Sequence, residues 1–186
     1  MNTVDNQPLY GWNTLCWKKI ERVVFTLQPR IYRAQRRGDS KTVRKLQRLL
    51  MKSRSAKLLA VRRVTPDNRG KATAGVDGVK ALTPAERLDL ADTLTLTAHA
   101  VPVRRVQIPK PGTAETRPLG IPTLQERALQ AVVKVALDPQ EEARFEPNSY
   151  GFRPGRSTWD AIGTIYVLIN QKAKWVLDAD ITKCFD

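Results

Sequence analysis

The carboxyl-terminal stretch, residues 175–186, constrains the fold most, because it combines a strand pattern with regularly placed acids. Residues 175–177 are an apolar, strand-favouring run. Apolar and acidic residues then alternate over 178–181, which is the period of a strand. A carboxylate at the end of a buried strand has to be neutralised, and a divalent cation does this readily. An isolated Asp there more often caps the next turn, so the pattern alone leaves both roles open for Asp180.

The charge distribution predicts a polyanionic partner for the first third of the chain. Residues 1–63 hold 16 Lys/Arg against 3 Asp/Glu, a net charge of +13, whereas residues 64–186 hold 16 against 15. An ordinary solvated helix face mixes the two signs, so the near absence of acids favours a phosphate-binding surface. No apolar run reaches membrane-spanning length, which favours nucleic acid over membrane. Cys16 and Cys184 form neither a zinc pattern nor a disulfide framework, and this favours a reducing, cytoplasmic location.

Hydrophobic periodicity predicts two basic helices before residue 65. The first runs from Trp12 to about Gly38, and Pro29 should kink or split it. The second is capped by Asp39 or Ser40 and runs to about Val64. We interpret this pair as a clamp on the phosphate backbone with little sequence readout.

Residues 101–122 predict a β-hairpin with a turn at 111–113. Lys110 stands just before the turn and Arg117 just after it. This placement suits a triphosphate, because Arg offers a bidentate fork and Lys a point charge. Basic residues are common near hairpin tips, so spacing alone leaves an ordinary surface role open.

The remaining segments predict helices joined by a basic loop. A capping box at 123–126 opens a helix to about Leu137, and a short helix follows over 139–145. The loop 148–157 interleaves two Arg with two aromatic residues, which suits stacking on bases and pairing with phosphates; anchoring of the loop in the core is the alternative. Ser157 caps a last helix whose predicted core face consists of Trp159, Ile162, Ile165, Tyr166 and Ile169.

Four blocks, in this order, resemble the reverse transcriptases encoded by group II introns. They are Ala-Gly-Val-Asp-Gly at 74–78, Ile-Pro-Lys-Pro at 108–111 with Arg-Pro-Leu-Gly-Ile-Pro at 117–122, the loop 148–157, and Asp-Ile-Thr-Lys-Cys-Phe-Asp at 180–186. The first block departs from the usual family form, since Ala74 stands where the family has Pro. The resemblance implies an α+β fold, with an amino-terminal helical extension followed by the fingers and the start of the palm of a right-handed reverse transcriptase.

The resemblance also divides the chain. It implies a disordered lead at 1–11 and a basic helical extension with a template-contacting loop at 12–82. The fingers follow at 83–174, and the first palm strand with the catalytic Asp motif occupies 175–186. The sequence is expected to be truncated there, before the second catalytic strand and the thumb of the family.

Asp180 is implied to be the catalytic residue and a ligand of Mg²⁺, together with Ile181. Phe185 is implied to pack where a ribose 2′-hydroxyl would lie, which favours deoxynucleotides. The chemistry is in-line phosphoryl transfer with two magnesium ions.

The other site residues implied by the resemblance are cations. Lys110 and Arg117 would contact the phosphates of the incoming nucleotide, and Arg153 would help to form the template and nucleotide site. Arg69 or Lys71, in the template-contacting loop, would meet phosphates. Arg127 matches an Arg of the family, with a merely solvated side chain as the equal alternative.

The implied function is the amino-terminal part of an RNA-directed DNA polymerase (reverse transcriptase/maturase). Its partners would be intron RNA, a template–primer duplex, deoxynucleoside triphosphates and a complementary polymerase fragment carrying the missing palm and thumb. With one of three family carboxylates, the chain alone is expected to extend no primer. The alternative is a catalytically inactive, RNA-binding maturase-like module or remnant.

Overall fold

The computed structural model describes residues 11–96, 99, 101–170 and 173–181. Within these ranges the chain forms helices and one antiparallel hairpin, which confirms the α+β class. The helices are α1 (Trp17–Arg36), α2 (Ser40–Lys52), α3 (Arg54–Val64), α4 (Pro84–Thr93), α5 (Leu124–Glu142) and α6 (Thr158–Ile169), and the strands are β1 (Arg104–Pro109) and β2 (Thr116–Ile121). Short 3-10 turns lie at Trp12–Thr14 and Arg69–Ala72. None of the described helices is long and apolar enough to cross a membrane.

The two predicted basic helices need correction at their boundaries. α1 starts only at Trp17 and continues through Pro29, so the helix is not split there, and the kink predicted as the other outcome stays a prediction. The predicted second helix is in fact two, α2 and α3. They are separated at Ser53, whose backbone is extended and whose hydroxyl accepts a hydrogen bond from the Ala56 N–H at 3.2 Å. That side chain caps a new helix, so Ser53 is the boundary between α2 and α3.

α5 is one helix where the sequence predicts two. Pro139 lies inside it and has no N–H, so the carbonyl of Val135 loses its helical partner. The side-chain amide of Gln28, on α1, donates to that carbonyl at 3.1 Å. Gln47, on α2, donates in the same way to the Ala136 carbonyl at 3.3 Å. These bonds from neighbouring helices satisfy carbonyls next to the proline, and they tie α5 to α1 and α2.

α5 is the central helix, because it contributes to both hydrophobic clusters of the core. One cluster joins Trp12, α3, α4 and the first half of α5, and the other joins α1, α2, Ala56 at the start of α3 and the second half of α5. Ile31 and Leu50 have no exposed surface in the second cluster. Burying such a side chain contributes about 1.5–3 kcal/mol. The basic helices therefore stand on a well-packed core.

β1 and β2 pair in the predicted hairpin, with Ile108 opposite Arg117. The ladder continues toward the tip, where the Lys110 N–H donates to the Glu115 carbonyl at 2.9 Å. Gly112 takes a positive φ of 76° in the turn, which glycine adopts without strain. Nearly every residue of the two strands is exposed, so the hairpin projects from the helical core.

α6 begins as predicted, but its predicted core face is wrong. Ser157 and Asp160 form the complete capping box. The five predicted core residues are nevertheless more than half exposed, and Trp159 reaches 79%. The reason is that no described element covers this apolar side of α6.

The predicted strand at 175–181 is also wrong for the described residues. Residues 173–181 form no strand, and Trp175, Val176 and Leu177 are exposed. A strand needs a partner for its backbone groups, and the described sheet contains β1 and β2 alone. Residues 1–10 of the predicted lead lie outside the described ranges, and the domain boundaries stay predictions.

Candidate nucleic-acid interface

The surface of α1–α3 is densely cationic. Ion pairs to described acids are made there by Arg54, with Asp92, and by Arg62, with Glu21 and Asp67. The other cations on this surface face solvent: Lys18, Lys19, Arg22, Arg30, Arg33, Arg36, Arg37, Lys41, Arg44, Lys45, Arg48, Lys52 and Arg63. Such a set attracts a polyanion through long-range electrostatics.

The helical period explains why these cations share the outer side. On α2, Val43, Leu46 and Leu50 are buried, so the Lys and Arg between them point outward. The acid nearest to them, Asp39, is used as a helix cap: its carboxylate accepts from the Thr42 N–H at 3.0 Å. Hydrogen bonding by Thr42 lowers the pKa of Asp39, so this capping carboxylate stays ionised.

The loop after α3 is held at the junction between β2 and α5. The Arg127 guanidinium donates to the carbonyls of Gly70, at 3.1 Å, and of Thr73. Its Nε also donates to the Pro122 carbonyl at 3.1 Å. The sequence left Arg127 between a solvated and a functional role, and spacing gave no sign of these three carbonyls.

Gly75 makes the second contact at this junction. A Cβ on Gly75 would lie 2.7 Å from the Thr123 Cα and 2.8 Å from the Thr123 N, closer than real Cβ atoms come. Position 75 therefore requires glycine because the Thr123 backbone leaves no room for a Cβ, and not because of a left-handed turn. The resemblance singled out the block containing Gly75, but only the structure shows what its missing side chain makes room for.

Lys110 and Arg117 are brought together on one face of the hairpin. Arg117 lies opposite Ile108, and Lys110 lies opposite Glu115. Residues two apart on a strand share a face, so Lys110 lies on the same face as Ile108 and therefore as Arg117. Lys110 Nζ pairs with Glu115 Oε2 at 3.0 Å, both side chains being largely exposed. Such exposed pairs are worth little, so a phosphate can displace the glutamate.

Arg153 is buried and holds its loop against the end of α5. It donates to both carboxylate oxygens of Glu142, at 2.6 and 3.1 Å. It also donates to the carbonyls of Glu146, at 2.7 Å, and Ser149, at 2.6 Å, and lies over the Phe145 ring. The bond from Arg153 lowers the pKa of Glu142.

With these four bonds made, the Arg153 guanidinium has little capacity left for a phosphate in this conformation. Its predicted role in the template and nucleotide site stays a prediction. The neighbouring Tyr150 is half-buried and its hydroxyl lies 2.6 Å from Thr164 Oγ1, whereas Phe152 is fully exposed. Arg153 and Tyr150, and not Phe152, therefore anchor the loop.

Asp180 lies in the exposed segment 173–181, and its Oδ1 accepts from the Ile181 N–H at 2.8 Å. Nothing described joins it by a hydrogen bond or ion pair to Lys110, Arg117 or Arg153. A carboxylate suits Mg²⁺, but the described residues contain no group of three or more His, Cys, Asp or Glu that could hold a metal. The predicted magnesium role of Asp180 and Ile181 therefore stays a prediction, and Phe185 lies outside the described residues.

The described residues thus combine a cationic helical surface, a loop held against the core and a hairpin with two cations on one face. Family models match both halves of the chain. Residues 12–94 match the N-terminal domain of reverse transcriptase, and residues 108–186 match reverse transcriptase (RNA-dependent DNA polymerase). The chain belongs to the reverse transcriptase family, in its group II intron-encoded branch.

Curated relatives support the same branch. Protein YkfC of Escherichia coli is 38% identical over 154 residues, which is 76% of this chain and 40% of that protein. Maturase-like protein 1 of Euglena gracilis is 31% identical over 76% of this chain and 31% of its own length. The group II intron-encoded protein LtrA of Lactococcus lactis is 41% identical over 48% of this chain and 15% of its own length. The matches therefore span less than half of each of these relatives.

Proposed function

We propose that this chain is the RNA-binding, amino-terminal part of a reverse transcriptase that synthesises DNA on an RNA template. The observation that carries the proposal is the surface of α1–α3, where cations greatly outnumber acids and only Arg54 and Arg62 form described ion pairs. An intron RNA or a template–primer duplex provides the matching polyanion. Since these contacts go to phosphates, binding depends steeply on salt and weakly on sequence.

The hairpin is proposed to hold the triphosphate of the incoming deoxynucleotide. Lys110 and Arg117 share one face, and Arg117 has no described partner, so its guanidinium is available for bidentate contact with phosphate oxygens. Lys110 adds a second phosphate contact once its ion pair with Glu115 is broken. Arg153 acts on this site indirectly, because its ion pair with Glu142 holds the loop 148–157 in shape.

Magnesium is proposed to bind at Asp180 and Ile181 only after further carboxylates come from a complementary polymerase segment. When bound, the ions supply charge stabilisation for phosphoryl transfer. The exposed apolar side of α6 and the exposed residues 175–177 support docking of such a segment, because large exposed apolar patches mark interaction sites. The chain alone is therefore expected to be inactive.

A second candidate is a non-catalytic, RNA-binding module. The observation that favours it is the engagement of Arg153 with Glu142 and backbone carbonyls, which leaves that predicted site residue with a structural role. This candidate shares the cationic surface and predicts the same RNA binding, but no synthesis with any partner.

A salt titration tests RNA binding. The dissociation constant of the chain for a fluorescein-labelled RNA template annealed to a DNA primer is measured between ~0.05 and ~0.3 M salt by anisotropy. We expect log K to fall linearly with log salt, with a slope of about −4 or steeper if five or more phosphates are contacted. Replacing Arg44 and Arg48 by Gln should flatten the slope by roughly one unit for each lost contact. Affinity that does not change with salt contradicts the proposal.

A further inference from the structure

The loop after α3, which contains Arg69 and Gly75, and the β1–β2 hairpin are held at one point of the backbone, the link between β2 and α5. Pro122 and Thr123 form this link, directly after the last residue of β2. Arg127 binds the Pro122 carbonyl and two carbonyls of the loop, while Gly75 lies against Thr123. The position of the loop is thus set relative to the strand that carries Arg117.

All three guanidinium nitrogens of Arg127 are engaged in this arrangement. Nε, Nη1 and Nη2 each donate to a different backbone carbonyl. A planar fork with fixed donors is suited to hold three carbonyls in one geometry, which the single ammonium of Lys cannot do. Arg127 therefore holds three backbone carbonyls in place with three of its five N–H donors.

The contacts of Arg127 and Gly75 with Pro122 and Thr123 form a latch. Arg69 is the side chain whose position this latch fixes. It opens the 3-10 turn Arg69–Ala72, next to the Gly70 carbonyl that Arg127 binds. The side chain of Arg69 is exposed, and none of the described acids pairs with it. The preceding Asn68 stiffens the turn, since its Oδ1 accepts from the Gly70 N–H at 2.8 Å.

We propose that Arg127 and Gly75 are positioning residues that fix the loop at the β2–α5 link, so that Arg69 and the hairpin cation Arg117 engage one bound RNA–DNA duplex and nucleotide in a set register. The inference rests on the proposed function, because it requires that the chain binds RNA. It adds a latch that works through Arg69 and makes no contact with the nucleic acid itself.

A double-mutant cycle tests the latch. Arg69→Gln, Arg127→Gln and the double variant are compared with the unaltered chain for affinity to the labelled template–primer duplex. We expect each single change to weaken binding roughly five- to tenfold at ~0.1 M salt and to flatten the salt slope by about one. The double variant should be no weaker than Arg69→Gln, because residues that act through one contact are not additive.

Arg144→Gln is the matched control for lost charge. Arg144 is exposed and pairs with Glu141, away from the loop. The Arg144→Gln variant should bind the duplex with an affinity within about twofold of that of the unaltered chain, and with an unchanged slope of log K against log salt. Thermal melting of every variant separates unfolding from weakened binding.

Gly75→Ala tests the latch without changing any charge. The added methyl group must push the loop away from Thr123, so binding should weaken and trypsin should cut after Arg69 faster. Gly11→Ala is the matched control, because a Cβ there meets nothing within 4 Å and the backbone is extended.

The results separate the two levels of the proposal. Lost affinity, a flatter slope and a non-additive cycle support the latch. If Arg127→Gln and Gly75→Ala change melting alone while the unaltered chain still binds with strong salt dependence, or if the cycle is additive, the latch is wrong and the proposed function stands. If the unaltered chain does not bind RNA, both are wrong.

Discussion

α5 and α6 are similar as sequences and opposite as structures. Each begins at a hydroxyl cap that accepts from the N–H three residues on, Thr123 in α5 and Ser157 in α6, and each is rich in apolar residues. α5 lies at the centre of the core, with eight buried residues. α6 has none. Among the elements that the structure describes, α1, α2 and α3 pack on α5, and nothing comparable packs on α6.

The comparison teaches that helix formation and burial have separate causes. Helix caps and hydrophobic periodicity are local properties, and both segments have them in their own sequence. Burial requires a partner surface, and the partner of α6 is not among the described residues. We therefore treat the apolar side of α6 as an interface and the apolar side of α5 as core.

The largest effect is expected from matched leucine truncations. Leu129→Ala, in α5, should lower the free energy of unfolding by ~2–4 kcal/mol, since Leu129 is 8% exposed and leaves a cavity. Leu168→Ala, in α6, should change it by less than about 0.5 kcal/mol, since Leu168 is 53% exposed. Urea denaturation followed by circular dichroism measures both. Equal losses would show that α6 is part of the core and end the distinction.

A smaller effect is expected where the two regions are joined. Arg153 ties the loop before α6 to Glu142 of α5, so Arg153→Met should lower the melting temperature by roughly 5 °C. Hydrogen exchange should rise over 149–157 and at the start of α6, while the middle of α5 stays protected. Arg156→Met is the comparison, since Arg156 is an exposed Arg of the same loop that lies over the Tyr150 ring and makes no described ion pair, so it separates the loss of the Arg153–Glu142 pair from the loss of a cation over a ring. Unchanged exchange in the loop would show that Arg153 is not its anchor.

Removing the N-cap should destabilise α5 and α6 by similar amounts, but only the first turn of α6 should fray. Thr123→Ala and Ser157→Ala each cost about 1 kcal/mol of local helix stability. In α5 tertiary packing retains the helix, whereas in α6 the first turn should fray and exchange its amides faster. Hydrogen exchange with mass spectrometry resolves this difference. Equal fraying of both helices would indicate that packing does not protect α5.

The smallest effect is a pH dependence of the Glu142–Arg153 pair. Arg153 lowers the pKa of Glu142 below its ordinary 4.5. A depressed carboxyl pKa stabilises the fold above the unfolded value, and this contribution disappears as the pH falls through the folded value. The melting-temperature difference between the unaltered chain and Glu142→Gln should therefore be constant near neutral pH and shrink below about pH 4.5. A difference that does not shrink at any pH below the ordinary pKa of Glu142 would assign the effect to packing instead.

Local features were predicted well from the sequence, and long-range ones were not. The hairpin, the hydroxyl caps at Thr123 and Ser157 and the amphipathic basic helices are determined by residues close together in the chain. The capping box predicted at 123–126 is only half present, since the Glu126 N–H donates to Thr123 without a described return bond from the Glu126 side chain. The continuity of α5 was missed because Gln28 satisfies the Val135 carbonyl from far away in sequence. The role of Arg127 was missed for the same reason, since its carbonyl partners belong to another segment. The exposure of α6 could not be read from its pattern, because an apolar stripe looks alike in a core and in an interface.

Primer extension by a two-part mixture tests the central claim most directly. The chain is combined with a separately produced segment that carries the rest of a group II intron-type palm and thumb, together with an RNA template, a DNA primer, deoxynucleotides and Mg²⁺. The account predicts no synthesis by either part alone, synthesis by the mixture, and its loss with Asp180→Asn although RNA binding is retained. A mixture that protects α6 from hydrogen exchange but still makes no DNA, or one that makes DNA equally well with Asp180→Asn, would contradict it.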